Sequence, residues 1–222
     1  MHSEESFFPK HKLYQNKKIN YFKLSFYKEK ETSMALVNGS PSVILSNVAT
    51  LIQQKVDDKT APLVEQFSHL LYGNMSSLDL DHRNESDMYG AALSLWSSLN
   101  EHKDDAPIIH VFNPSVSKNG WKSSHTIIEV IIKDMPFLVD SIRIALNRLG
   151  LSPHLMLNAP LKIVRDKKHE VTALAPIVDS KIKASSEETV FLIEIDRQSN
   201  QDDLGNIKNT LLSVVDDIHL KV

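Results

Sequence analysis

The chain has 222 residues, of which 41% are hydrophobic and 24% charged, with a formal net charge of -3. That length can bury one good-sized core, or a main core with a helical satellite, and the charge balance offers no general attraction to nucleic acid or anionic lipid. The absence of cysteine excludes a disulfide framework, a zinc ribbon, an iron–sulfur cluster and a thiol nucleophile, and makes the cytoplasm the expected compartment.

No apolar run approaches the roughly 20 residues of a membrane-spanning helix. Residues 7–27 alternate aromatics with Lys10, Lys12, Lys17, Lys18 and Lys23, a pattern that does not fit a signal peptide. Residues 1–33 hold seven lysines against four glutamates, which leaves 18 basic and 24 acidic groups for the rest of the chain. The composition changes near Met34, and residues 1–40 are read as a disordered leader outside the folded part.

From Pro41 the pattern becomes helical. Ile44, Val48, Leu51, Ile52 and Val56 share one face of a helix expected over 42–57. Thr60 is placed as the cap of a second helix, with Pro62 in its first turn and Gly73 at its stop. Asn84 is placed as the cap of a third, in which Met88, Ala92, Leu95, Trp96 and Leu99 line one side. Residues 41–104 are thus expected to form a small helical segment.

The period changes beyond it, and residues 105–222 are expected to form an α+β domain. Residues 108–112 and 125–132 are rich in β-branched side chains and flank the turn signals Asn113-Pro114 and Asn119-Gly120, which predicts two strands joined as a long hairpin. Asp134 then has the place of an N-cap, with Pro136 in the first turn of a helix that carries Leu138, Ile142, Ala145, Leu146 and Leu149 and stops at Gly150. Two short strands are expected at 151–157 and 161–165 around Asn158-Ala159-Pro160, followed by a polar turn at 166–169 and a strand at 171–174. A strand at 189–196 and a helix from Leu204 to Ile218 complete the order. That alternation fits an antiparallel sheet with two helices on one face.

Few patterns carry chemistry. The six glycines, at 39, 73, 90, 120, 150 and 205, never come within 16 residues of one another, so neither a dinucleotide fingerprint nor a phosphate-binding loop can be built. None of the ten histidines forms the i, i+4 pair of a helical metal site. Asp79, Asp81, His82, Glu85 and Asp87 lack the glycine turn of a calcium loop and read as a solvated acidic helix start. Ser124, His125, Asp134, Asp140 and Ser141 include the residue types of a hydrolytic triad, but no elbow presents a serine.

The distinctive segment is Lys133-Asp134-Met135-Pro136-Phe137-Leu138-Val139-Asp140-Ser141. It resembles the Asp-Met-Pro-Phe-Leu-Val-Asp-Ser signature of the N-terminal, ACT-like region of the large bacterial NAD-specific glutamate dehydrogenases. Val111-Phe112-Asn113-Pro114, Gly120-Trp121, His125-Thr126 and Arg165-Asp166 stand in the order that family uses, and Asp87-Met88-Tyr89-Gly90-Ala91-Ala92 with Trp96 is similar to its preceding helix. Lys133 departs from the pattern, which often has a second acidic residue there.

The resemblance implies an ACT-like, ferredoxin-like α+β fold covering about 43 to the C-terminus. It also implies a longer parent enzyme that deaminates glutamate to 2-oxoglutarate and ammonia with NAD. The parent's catalytic and nucleotide domains would lie downstream of Val222, so no catalytic residue, cofactor or metal is assigned to this chain. Its expected partners are the downstream domains and further copies of itself, with no nucleic acid and no membrane. The candidate effector or interface turn is Asp134, Met135, Pro136, Phe137, Asp140 and Ser141. Ligand-binding ACT modules usually carry a glycine after the proline; Phe137 stands there instead. That tilts the expectation toward a regulatory and oligomerisation module, with an amino-acid-sensing switch as the alternative, and toward a Phe137 side chain packed into the sheet.

Overall fold

The structure, a computed structural model, describes residues 43–76, 79–80, 83–102 and 106–219. The expected leader at 1–40 lies outside them. Three helices come first: α1 (Val43–Lys55), α2 (Ala61–Tyr72) and α3 (Glu85–Glu101). The Asn84 carboxamide caps α3 by accepting from the N–H groups of Ser86 at 2.9 Å and Asp87 at 3.1 Å. Thr60 does not cap α2. It already has helical backbone angles, and its own N–H and that of Lys59 meet the Asp57 carboxylate at 3.2 and 3.1 Å.

The sheet follows, with β1 (Ile108–Phe112), a one-turn helix α4 (Val116–Asn119), β2 (Thr126–Lys133), α5 (Leu138–Arg148), β3 (Leu155–Arg165), β4 (Val171–Pro176), β5 (Ser186–Ile195) and α6 (Gln201–His219). Its strand order is β1-β2-β5-β3-β4, and every pairing is antiparallel. β2 and β3 are therefore parallel to each other across β5, and α5 crosses between them, the split arrangement of ferredoxin-like, ACT-like domains. The place beside β2 is taken by β1, the strand that precedes it in the chain.

One expected break is missing. Asn158-Ala159-Pro160 does not separate two strands; β3 runs through it, with Pro160 opposite Thr189 of β5. The Pro160 carbonyl accepts from Ile177, just past the end of β4. In an antiparallel strand the N–H and C=O of one residue point to the same side, so the N–H that proline lacks would face that end and not the β3–β5 ladder. Gly150 ends α5 as expected: its φ is 73°, its N–H reaches the Asn147 carbonyl, and the Leu151 N–H reaches that of Leu146.

Both faces of the sheet are covered. Ile128, Val130, Ile132, Phe191 and Ile193 pack under α5 and α6, together with Ile142, Leu146, Ile207 and Leu211. Ile127, Ile131, Val190 and Leu192 face the other way, into a core with Ile52, Phe67, Leu71, Leu95 and Leu99 of the first three helices. The helical segment is thus a second layer on the same sheet. This double burial explains why β2 and β5 read as nearly continuous apolar runs instead of alternating ones. Each large side chain so buried contributes about 1.5–3 kcal/mol of transfer free energy.

Candidate functional site

The strand-to-helix turn after β2 differs from its sequence expectation in two ways. Asp134 is not the cap of α5, which begins at Leu138 with Phe137 in the N-cap position. Its carboxylate instead accepts a hydrogen bond from the Thr189 hydroxyl, and its N–H donates to the Glu187 carbonyl at 2.8 Å. Asp134 therefore fastens the end of β2 to β5. Phe137 does not pack into the sheet: it is 74% exposed, at φ 69°. That left-handed conformation is the one glycine adopts without steric cost, so the backbone keeps a glycine-like turn although the residue is phenylalanine.

Around this turn lies a shallow cleft of about 220 Å³, bordered by Asp134, Phe137, Leu138, Asp140 and Asn158. Met135 is half-buried against the core beneath α5 and α6, while Pro136 is exposed. Asp140 is exposed in the first turn of α5, and the Ser141 N–H makes a helical bond to the Phe137 carbonyl at 2.9 Å. The six candidate residues thus share one turn. Two carboxylates border its cleft.

A second concentration of polar groups lies between the sheet and the helical layer, where Glu129, Glu188 and Glu194 are all buried. The Arg165 guanidinium meets both oxygens of Glu188 at 3.0 and 3.1 Å and also the Leu99 carbonyl, tying the end of α3 to β5. The His102 ring sits 3.1 Å from the same carboxylate and 2.8 Å from the Ala106 carbonyl. The hydrogen bond to Glu188 raises the His102 pKa above its ordinary value, against the opposing effect of burial. Burial alone would raise Glu188; hydrogen bonds from His102 and Ser186 and the Arg165 charge outweigh it and bring the pKa below its ordinary value. Glu194 pairs with Arg83 at 2.5 Å.

Glu129 differs from the other two. It is 1% exposed, and neither carboxylate oxygen has a hydrogen-bond partner among the described residues. The His110 Nδ1 lies 3.6 Å from it, on the residue directly opposite in the β1–β2 ladder. Sequence reading passed over this position. Its signal was a lone carboxylate inside Ile127-Ile128-Glu129-Val130-Ile131-Ile132, where a strand buried on both faces has no solvent side to offer it.

The remaining candidates do not assemble. His125 precedes β2 and Asp134 follows it, so about nine strand residues, or roughly 30 Å, separate the two. Asp81 and His82 fall outside the described residues. Glu85 accepts from Asn47 at 2.7 Å, and Asp87 accepts from the Lys122 N–H at 3.3 Å, so both take part in packing. Among the described residues no helix is long and apolar enough to cross a membrane.

An antiparallel sheet with a split β-α-β crossover, and with a strand-to-helix turn at its end, defines an ACT-like domain. The model of the family described as "Glutamate dehydrogenase, ACT1 domain" matches residues 67–211, and the chain belongs to that family. It is 36% identical over 179 residues to an NAD-specific glutamate dehydrogenase of Halomonas elongata, and 35% identical over 173 residues to one of Pseudomonas aeruginosa. These alignments cover 81% and 78% of this chain but 11% of each relative, so the chain spans about a ninth of their length. No solved structure matches.

Proposed function

We propose that this chain is a non-catalytic regulatory and oligomerisation module of a cytoplasmic NAD-dependent glutamate dehydrogenase, working through contacts made by the turn at Asp134–Ser141. The observation that carries the reading is Phe137, a large aromatic side chain 74% exposed on a backbone conformation that disfavours it. Such a residue lowers the stability of the isolated fold, and burial against a partner would offset that cost. The partner is a second copy or a downstream domain of the parent chain. Family membership and the share of the relatives covered support the same reading.

Sedimentation velocity over a range of concentrations tests it. The chain is expected to self-associate, and Phe137→Gly, which fits the turn, is expected to weaken association at least five-fold. A monomer at every concentration, unaltered by the substitution, would overturn the oligomerisation reading. The alternative, an amino acid sensed with its carboxylate on the turn, is served less well, because Asp134 and Asp140 would repel that carboxylate.

A further inference from the structure

We propose that the groove between α3 and β1 binds a small molecule through a primary ammonium group, which the Glu129 carboxylate receives. The groove has a volume of about 710 Å³ and is bordered by Ser94, Ser98 and Asn100 of α3, His110 and Phe112 of β1, and Glu129 of β2. It lies at the β1 edge of the sheet and reaches from the α3 face round that edge to Val111 and to Lys208 of α6.

The argument rests on how the three buried glutamates of this face are served. Glu188 has Arg165 and Glu194 has Arg83, each within 3.0 Å, whereas Glu129 has only the His110 ring at 3.6 Å, beyond hydrogen-bond reach. A carboxylate held out of water with no hydrogen-bond partner is costly. The fold keeps this one at the wall of a groove instead of replacing it with another isoleucine. A cation entering the groove would offset that cost, which makes the position a selective receptor for positive charge.

Chemistry narrows the cation. Among the described residues no group of three or more metal-ligating side chains occurs, so a metal ion would find too few ligands. An ammonium group is compact and has three donors. One suits Glu129, and the Ser94 hydroxyl offers a further acceptor, while the Ser98 hydroxyl already meets the His110 ring at 3.4 Å and the Asn100 carboxamide oxygen accepts from the Val171 N–H at 3.0 Å. Phe112, Leu93 and Trp96 provide an apolar wall for the carbon chain. Lys208 of α6 also borders the groove and carries the charge that a carboxylate would need. The ammonium could therefore belong to an amine or to an α-amino acid.

The site would give the regulatory reading an effector and rests on it for that consequence only, since binding is measured on the chain itself. Titration calorimetry of the whole chain with three matched probes tests it: pentylammonium, norleucine and hexanoate. Saturable binding of an ammonium-bearing probe is expected, with none for hexanoate, and Glu129→Gln should weaken it at least ten-fold. Lys208→Ala separates the sources, because weaker binding of norleucine alone assigns an amino acid, and unchanged binding assigns an amine. Amide shifts of Ser98, His110 and Glu129 in the unaltered chain supply a readout that needs no variant. Failure of both ammonium probes to bind, equal affinity in Glu129→Gln, or comparable binding of hexanoate would overturn the proposal. That failure would leave Phe137-dependent association as it stands, so the two readings can fall separately.

Discussion

Gly90 of α3 lies directly against the Trp121 indole: a Cβ placed on the glycine would fall 2.8 Å from the Trp121 Cδ1 and nearer still to its Cβ and Cγ. The ring is buried and completes a T-shaped contact with Phe112 of β1, so the helical layer meets the β1–β2 connection through this pair. Alanine is the better helix former by about 1 kcal/mol, yet Gly90→Ala is expected to destabilise the chain by about 1–3 kcal/mol, because the clash is with the rigid base of the side chain. Urea unfolding measures it. A raised midpoint would mean that the indole moves aside freely.

Asp134 and Thr189 are coupled, and α5 does not depend on the aspartate as a cap. Asp134→Ala leaves the buried Thr189 hydroxyl without this acceptor and should cost about 1–3 kcal/mol. The double variant with Thr189→Val should cost less than the sum of the two single changes. Strict additivity in denaturant midpoints would refute the coupling.

Phe137→Gly should stabilise the isolated chain by about 1 kcal/mol, since φ 69° is strained for phenylalanine and free for glycine. Thermal unfolding at a concentration low enough to keep the chain monomeric reads this directly. A lower midpoint would mean that the exposed ring contributes to the fold through contacts of its own.

The His102–Glu188–Arg165 cluster predicts a bell-shaped stability profile. Glu188 is lowered from its ordinary 4.5, so its contribution is complete above that value and is lost as pH falls through the folded pKa. His102 is raised from 6.5, so its contribution is complete below that value and is lost as pH rises through the folded pKa. Both are present between about pH 4.5 and 6.5. His102→Asn should flatten the alkaline limb and also shrink the acidic one, since the His102 hydrogen bond is among the causes that lower Glu188. An unchanged alkaline limb would assign that limb to other groups.

No saturable heat is expected when the chain is titrated with NAD, because its glycines cannot form a pyrophosphate-binding turn. Micromolar binding would reverse this expectation.

Element order and most helix ends were legible because apolar period, capping asparagine and stop glycine are local signals, as Asn84, Gly73 and Gly150 illustrate. The Pro160 strand was not, since tolerance of a proline depends on where β4 ends, a matter of tertiary register. At the turn, Asp134 and Pro136 carried ordinary helix-start signals, but Thr189, 55 residues away, competes for the carboxylate. Several motif residues behind the family resemblance turn out to be fasteners. Asn113 bridges Thr126 and Gln198, and Arg165 ties Leu99 to Glu188. Glu129 was overlooked because the apolar run around it was read only for its strand propensity.

The position of β5 bears on how the chain is made. It is the last strand in order yet stands between β2 and β3, so those two cannot be joined until residues 186–195 exist. A ribosome adding ~5–20 residues per second takes several seconds to pass from the end of β2 to the end of β5. Meanwhile the isoleucine-rich β2 waits with an open edge, the kind of segment that pairs with other nascent chains. Glu129 interrupts that run, and Glu194 interrupts the corresponding run of β5. A carboxylate set within an apolar strand disfavours wrong pairing of its open edge, so these two positions bear on synthesis as well as on the finished fold.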